Sequence, residues 1–255
     1  MREILTGVLD LLFPTVCITC GAILQEQSRF PFCPSCTEGI RTIRPPLCPR
    51  CGIPFATGEQ DHLCGECLAR GRPYAVARSF GFYEKTLLTA IHLFKYQGKI
   101  GVGEVLGRMM ADYAATQWDM GIFSLIVPVP LHRKRLRQRG FNQALVLARE
   151  VAKRFSRPLE FMALQRKLFT VPQVGLGREE RLANVYRAFT VRKPQRISGR
   201  RILLVDDVTT TGSTVGECAT VLMHADAESV AVLTLARAVD DAVVPDTDVP
   251  RREVP

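Results

Sequence analysis

Two adjacent aspartates, Asp206 and Asp207, follow four apolar residues, Ile202-Leu203-Leu204-Val205, and precede Val208-Thr209-Thr210-Thr211-Gly212-Ser213-Thr214. The apolar run has the make-up of a buried parallel strand, and ligands of open α/β sheets gather where such strands end. After the hydroxyl-rich stretch, Val215, Ala219, Leu222 and Met223 continue at helical spacing. A loop of this kind turns successive backbone N–H groups toward one point, and the helix start adds partial positive charge, so a phosphate fits there. The two carboxylates cannot serve that phosphate. They suit neutral donors such as ribose hydroxyls, or a divalent metal held near them, and the combination implies a sugar phosphate. No Gly-Lys-Ser/Thr closes the loop, which excludes a Walker A site. A plain polar turn is the competing explanation, and an Asp-Asp pair ahead of three threonines is a poor way to build one.

A second apolar run, Phe123 to Val127, ends in Pro128-Val129-Pro130 and leads into His132, Arg133, Lys134, Arg135, Arg137 and Arg139. Five cations crowd seven positions just past a strand's carboxyl end. Guanidinium groups bind phosphate oxygens in pairs, so the run reads as an anion clamp suited to a diphosphate. The net charge of +9 is unevenly placed: Leu131 to Arg201 holds 19 Lys+Arg against 4 Asp+Glu, a local +15, while the remainder is −6. A polyphosphate substrate would explain part of that bias and nucleic acid the excess, with a well-solvated basic surface as the competing reading. Lys95 and Lys99 flank a loop and read as helix-end charges, with a reach to phosphate as the alternative.

Eight of the nine cysteines fall in two sets. Cys17, Cys20, Cys33 and Cys36 repeat 31 residues later as Cys48, Cys51, Cys64 and Cys67, both reading C-x2-C-x12-C-x2-C, so the segment is an internal duplication. Four thiolates at paired two-residue gaps match tetrahedral zinc, and Gly21 and Gly52 permit the tight knuckle turn. One structural zinc per set, in series, is the expectation over a cross-brace or an iron–sulfur cluster. His62 reads as an exposed polar residue and Cys218 as a small core residue.

The 255 residues suffice for an α/β domain and a smaller module. Residues 1–16 are expected to form a short helix, 17–70 the double ribbon, 75–237 a parallel sheet flanked by helices, and 238–255 a disordered tail. Strands are expected at Val76–Tyr83, Phe123–Val127, Phe161–Gln165, Ala188–Val191, the aspartate run and Val230–Leu235, the last closing the sheet. Helices are expected at Glu84–Tyr96, Val102–Thr116 and from Phe141, with Asn142 and Gln143 at its start. Residues 166–177 read as a lid loop. No secretory signal or membrane-spanning run is visible, which points to the cytoplasm. The ribbons and the α/β part are expected to fold independently, so that losing Cys64 would leave residues 75–237 intact.

Residues 202–214 match at every position the thirteen-residue phosphoribosyl pyrophosphate (PRPP) signature of type I phosphoribosyltransferases. With the eight cysteines, Pro128-Val129-Pro130, Arg139-Gly140-Phe141-Asn142-Gln143-Ala144, Thr170 with Gln173, and Arg181 with Asn184, the chain resembles the ComF family, associated with DNA uptake in natural competence. The resemblance implies a type I phosphoribosyltransferase-like sheet behind a double zinc ribbon, with two zinc ions and with magnesium accompanying PRPP. The 5′-phosphate would lie on Thr209, Thr210, Thr211, Gly212, Ser213 and Thr214. The ribose hydroxyls would lie on Asp206 and Asp207, the catalytic pair, and the pyrophosphate by His132, Arg133, Arg135 and Arg139, with Gln173 from the loop. No segment is recognisable as a nucleobase reader. Two classes of function follow: a transferase or hydrolase acting on PRPP, or a single-stranded DNA accessory, working with competence proteins, whose PRPP site is regulatory or vestigial.

Overall fold

The computed structural model describes residues 15–24, 29–56, 60–168 and 187–239. The expected N-terminal helix, the loop residues Thr170, Pro172 and Gln173, Arg181 with Asn184, and the tail from Asp240 lie outside them. Among the described residues no helix is long and apolar enough to cross a membrane.

The two cysteine repeats are structural repeats as well. In each, the third cysteine caps a short helix: Cys33 precedes α1 (Pro34–Glu38) and Cys64 precedes α2 (Gly65–Arg70). The bridges Val16↔Ile23 and Leu47↔Pro54 are also 31 residues apart. Gly21 and Gly52 both take the left-handed backbone that the knuckle requires, at φ 76° and 68°.

Behind the ribbons lies a parallel sheet of four strands in the order β1 (Val76–Phe82), β6 (Ser229–Arg237), β5 (Arg201–Thr209), β2 (Leu125–Pro128). Alternation along a strand sends neighbours to opposite faces. Leu203 and Val205 accordingly join one core with α3 (Lys85–Tyr96), α4 (Ile100–Gln117) and α6 (Gln143–Phe155). Ile202 and Leu204 join the other, with α7 (Ser213–Met223) and the antiparallel pair β3 (Leu164–Arg166) and β4 (Phe189–Val191). A sheet covered on both faces explains the unbroken apolar run of β5.

Two expectations change. The strand at the chain's end does not close the sheet: β6 inserts between β1 and β5, pairing with both. The ribbons are not a detached module either. Ile43 N–H donates to Phe80 O at 3.0 Å and Phe82 N–H to Arg41 O at 3.0 Å, so residues 41–43 run along the open edge of β1. Ala77 N–H donates to Arg50 O at 2.8 Å, and the Arg237 guanidinium donates to Cys51 O. A Cβ on Gly52 would stand 2.4 Å from Ala77 O, so only glycine allows that approach. Cys17 and Phe32 of the first ribbon belong to the same core cluster as Leu87, Phe94 and Leu106. The physical reason is β1 itself, whose outer edge would otherwise present unpaired backbone groups.

Candidate functional site

The cleft opens where β2 and β5 part. Pairing between them ends at Pro128↔Val205, while β6 carries β5 on to Thr209↔Arg237. From β2 the chain turns outward, through α6 to a parallel bridge Ile126↔Leu159, whereas β5 leads through α7 to β6 on its other side. Connections that diverge in this way leave a crevice at the carboxyl ends of the strands, the usual ligand position in open α/β sheets.

That crevice has a volume of about 510 Å³. Asp206, Asp207 and Val208 border it from β5, Val129, Pro130 and Leu131 from the end of β2, and Asn142 and Gln143 from the start of α6. Four cations stand around it: Lys95 from the end of α3, Arg135 and Arg139 from α5 (Arg133–Arg139), and Arg166 from β3. Thr214, in the first turn of α7, completes the wall.

Local chemistry fixes each part. Asn142 caps α6 by accepting the Ala144 N–H at 3.1 Å and donates through Nδ2 to Val129 O at 3.1 Å, tying the helix start to the strand end. The basic run, read from sequence as one clamp, is a two-turn helix capped by His132, whose Nδ1 accepts the Lys134 N–H at 3.1 Å, and closed by Gly140 at φ 84°. Arg135 and Arg139 are four apart, hence on one face, and both line the cleft. Arg133, Lys134 and Arg137 are exposed and outside its lining. Of the hydroxyl loop, Thr214 borders the cleft, while Thr209 and Ser213 are buried and Thr211 Oγ1 hydrogen-bonds Ser213 Oγ at 2.6 Å. Gly212 caps α7 at φ 78°, with the Tyr74 hydroxyl packed against it.

The acidic pair does not mark the end of its strand. β5 continues past it, and Asp206 and Asp207 are only 9% and 5% exposed. Lys95, read from sequence as a helix-end charge, reaches 3.0 Å from Asp207 Oδ1. Burial would lower the pKa of its ammonium, but Asp207 overrides this and holds it raised. Two buried acceptors at the cleft, Asp207 Oδ2 and Gln143 Oε1, have no hydrogen-bond partner among the described residues, so the wall of the cleft holds unsatisfied acceptors.

Burial, helped by the charge of Asp207, pushes the Asp206 carboxyl from 3.8 up to about 7, against the Asp207 N–H, Lys95 and Arg166. The folded chain therefore keeps a proton between about pH 4 and 7 that the unfolded chain has released, and the stability which that proton contributes is lost as pH rises to about 7. Asp206→Asn is neutral throughout. Its stability relative to wild type should rise across that interval and level off above it, by up to about 4 kcal/mol at 1.36 kcal/mol per unit. Thermal melts of both proteins at pH 4 to 8 test this, and parallel curves would contradict it.

Each cysteine set converges. The four sulfurs of Cys17, Cys20, Cys33 and Cys36, and those of Cys48, Cys51, Cys64 and Cys67, lie within 4.8 Å of one another. Tetrahedral zinc at about 2.3 Å from each sulfur sets the sulfurs about 3.8 Å apart; Cys20–Cys33 and Cys51–Cys64 stand at 3.6 and 3.7 Å. The sets are consistent with two structural zinc sites, with no position left for substrate. His62 is exposed and stacks on Phe55 at 3.9 Å, and Cys218 is fully buried.

Arg166 is not singled out by the sequence, and for Lys95 the sequence shows a helix-end charge or a phosphate contact but not its pairing with Asp207. Lys95 lies 112 positions from Asp207, and no spacing links them. Its only sequence signal is its place in the last turn of a helix whose Leu87, Ile91 and Phe94 face inward.

Comparison with known proteins agrees with this anatomy. A double zinc ribbon domain model matches residues 8–68, and a phosphoribosyl transferase domain model matches residues 142–252. The DNA utilization protein YhgH of Escherichia coli (strain K12) is 31% identical over 231 residues, covering 89% of this chain and 99% of that protein. Competence protein F of Haemophilus influenzae is 30% identical, covering 87% and 96%. Competence protein ComFC of Bacillus subtilis (strain 168) is 28% identical, covering 80% and 83%.

Proposed function

Because the chain belongs to the ComF family, in which a double zinc ribbon accompanies a phosphoribosyltransferase domain, we propose that its cleft binds PRPP and that the protein transfers the phosphoribosyl group while supporting DNA uptake or use. The observation that carries this reading is the meeting, in one crevice, of two buried carboxylates with four cations and a helix start. A sugar carrying a phosphate at one end and a diphosphate at the other presents hydroxyls to the first group and anionic oxygens to the rest.

In this reading the backbone N–H groups at the start of α7, with Thr210, Thr211 and Thr214, hold the 5′-phosphate. Asp206 and Asp207 accept hydrogen bonds from the ribose hydroxyls. Arg135, Arg139 and Arg166 surround the diphosphate, where guanidinium groups bind in bidentate fashion. Cleavage breaks the bond from the anomeric carbon to oxygen, and its electron pair leaves with pyrophosphate. Positive charge then develops on the sugar beside the carboxylates, and negative charge on the leaving group beside the arginines, so both ends are stabilised by groups already in place. Magnesium, when bound, neutralises the diphosphate. The nucleophile is an acceptor base or amine, or water. Release of pyrophosphate from PRPP by the purified chain, lost on replacing Arg135 and Arg139 together by Met, is the expected result. Binding without release would leave a regulatory PRPP site.

A second reading stands beside the first, a non-catalytic accessory that binds single-stranded DNA, and it is the exposed basic face of α5 that supports it. The exposed Arg133, Lys134 and Arg137 supply cations outside the cleft. If they hold DNA, affinity should fall with salt at a slope of about −0.7 per phosphate neutralised, and changing the three to Ala should flatten it. PRPP should then compete weakly at most, because the cleft uses Arg135 and Arg139. DNA affinity indifferent to salt and to the triple change would remove this surface from the account.

A further inference from the structure

The acidic pair is the obvious place to seek a protein-held divalent metal, and its surroundings do not fit one. Asp207 Oδ1 receives the Lys95 ammonium at 3.0 Å and the Val208 N–H at 2.5 Å, and Asp206 Oδ1 receives the Asp207 N–H at 2.9 Å. The Lys95 and Asp207 side chains are 13% and 7% exposed, so this is a buried pair. The other groups acting on the two aspartates are Arg166 from β3, Tyr83 ahead of α3, and Cys218 from α7. Among these, Lys95 and Arg166 are the cations. A metal entering here would approach two positive charges and would have to displace Lys95 from its anion. That would leave a buried ammonium alone, which is strongly unfavourable.

We propose that Lys95 is the resident counter-cation of the acidic pair, a positioning residue that holds Asp207 in place beside the ligand and keeps divalent metal off the protein's own carboxylates. A covalently tethered ammonium occupies the cation position before any ligand arrives, so the floor of the cleft is ready-made. Asp207 Oδ2, buried and without a hydrogen-bond partner among the described residues, is then the acceptor left for a ligand hydroxyl. Magnesium that arrives with PRPP is ligated by diphosphate oxygens rather than by Asp206 or Asp207. The proposal rests on the PRPP reading only for the identity of that ligand; exclusion of metal rests on the ion pair.

The test uses the zinc-loaded full chain with Mn2+ as the probe, free Mn2+ being followed by electron paramagnetic resonance in the absence of PRPP. Wild type should bind Mn2+ only weakly and well short of one ion per chain. Lys95→Met, which keeps the length and removes the charge, should tighten Mn2+ binding by about tenfold or more through loss of like-charge repulsion. Lys95→Arg should behave as wild type, and Lys95→Met combined with Asp207→Asn should lose the gain. Should Lys95→Met fail to fold, Lys95→Gln carries the same comparison. Stoichiometric Mn2+ on wild type, or equal effects of the neutral and Arg variants, would overturn the proposal. A gain confined to the neutral variant in a protein that binds no PRPP would uphold the counter-cation while removing the PRPP reading.

Discussion

Replacing Cys51 and Cys64 together with serine is expected to lower the stability of the whole described chain, in a single transition, and not to release one ribbon from an intact α/β core. A structural zinc contributes about 10–16 kcal/mol to a small cysteine module, which equals or exceeds the net stability of about 5–15 kcal/mol typical of a folded protein. What makes this loss global is where the second ribbon is attached. Arg50 O accepts the Ala77 N–H, Arg50 Nη1 donates to Tyr74 O at 3.1 Å, and Arg78 Nη1 donates to Pro49 O at 3.1 Å. Arg237, the last residue of β6 and the partner of Thr209 in register, is buried and donates to Cys51 O. If the ribbon unfolds, that guanidinium loses its partner and the edge of β1 is uncovered. The same Arg237 and the buried Tyr74, whose hydroxyl packs on Gly212, link the ribbon to the loop ahead of α7. PRPP binding should therefore disappear along with the metal. Circular dichroism melts with limited proteolysis check this. A core melting near the wild-type temperature while residues 48–67 are digested would restore the independent-module expectation.

The second large effect is at the acidic pair. Measured at pH 8, above the value of about 7 to which burial pushes Asp206, Asp206→Asn with Asp207→Asn should weaken PRPP by about 100-fold or more, since each hydrogen bond to a charged group contributes about 1.5–3 kcal/mol and both carboxylates are removed together. The shapes of the side chains are kept, so β5 and its pairing should persist. The cost to the fold comes instead from Lys95, left buried with no anion. Adding Lys95→Met to the double variant should recover that stability without recovering PRPP affinity, which separates a folding defect from a binding one. Titration calorimetry and thermal melts on the wild type and both variants give the two readouts. Unchanged affinity in the folded double variant would remove the carboxylates from the site.

Much of this site was legible in the sequence because it is built locally. The apolar run before Asp206 had to be a strand buried on both faces, and the spacing of the cysteines had to close two separate sets. Asn142 read as a helix start because its side chain can cap one, and it does. The groups that were not legible are brought in by tertiary packing. Lys95 arrives because α3 lies against the sheet with Phe94 inward, which turns its neighbour toward the strand ends. Arg166 arrives on a two-stranded hairpin that pairs outside the main sheet. The depth of Asp206 and Asp207 depends on β6 extending the pairing of β5, and a strand whose place in the sheet is set by a crossover has no signature in its own residues. The basic run was half legible: the i, i+4 spacing of Arg135 and Arg139 already separated them from Arg133, Lys134 and Arg137 once the segment was a helix.

The claim on which the functional account stands is that one cleft takes PRPP. Isothermal titration of the zinc-loaded protein with PRPP and magnesium measures it directly. The account predicts saturable binding of one PRPP per chain, weakened about 100-fold or more by Asp206→Asn with Asp207→Asn and strongly weakened by Arg135→Met with Arg139→Met. A folded, zinc-loaded chain giving no saturable heat with PRPP would contradict it.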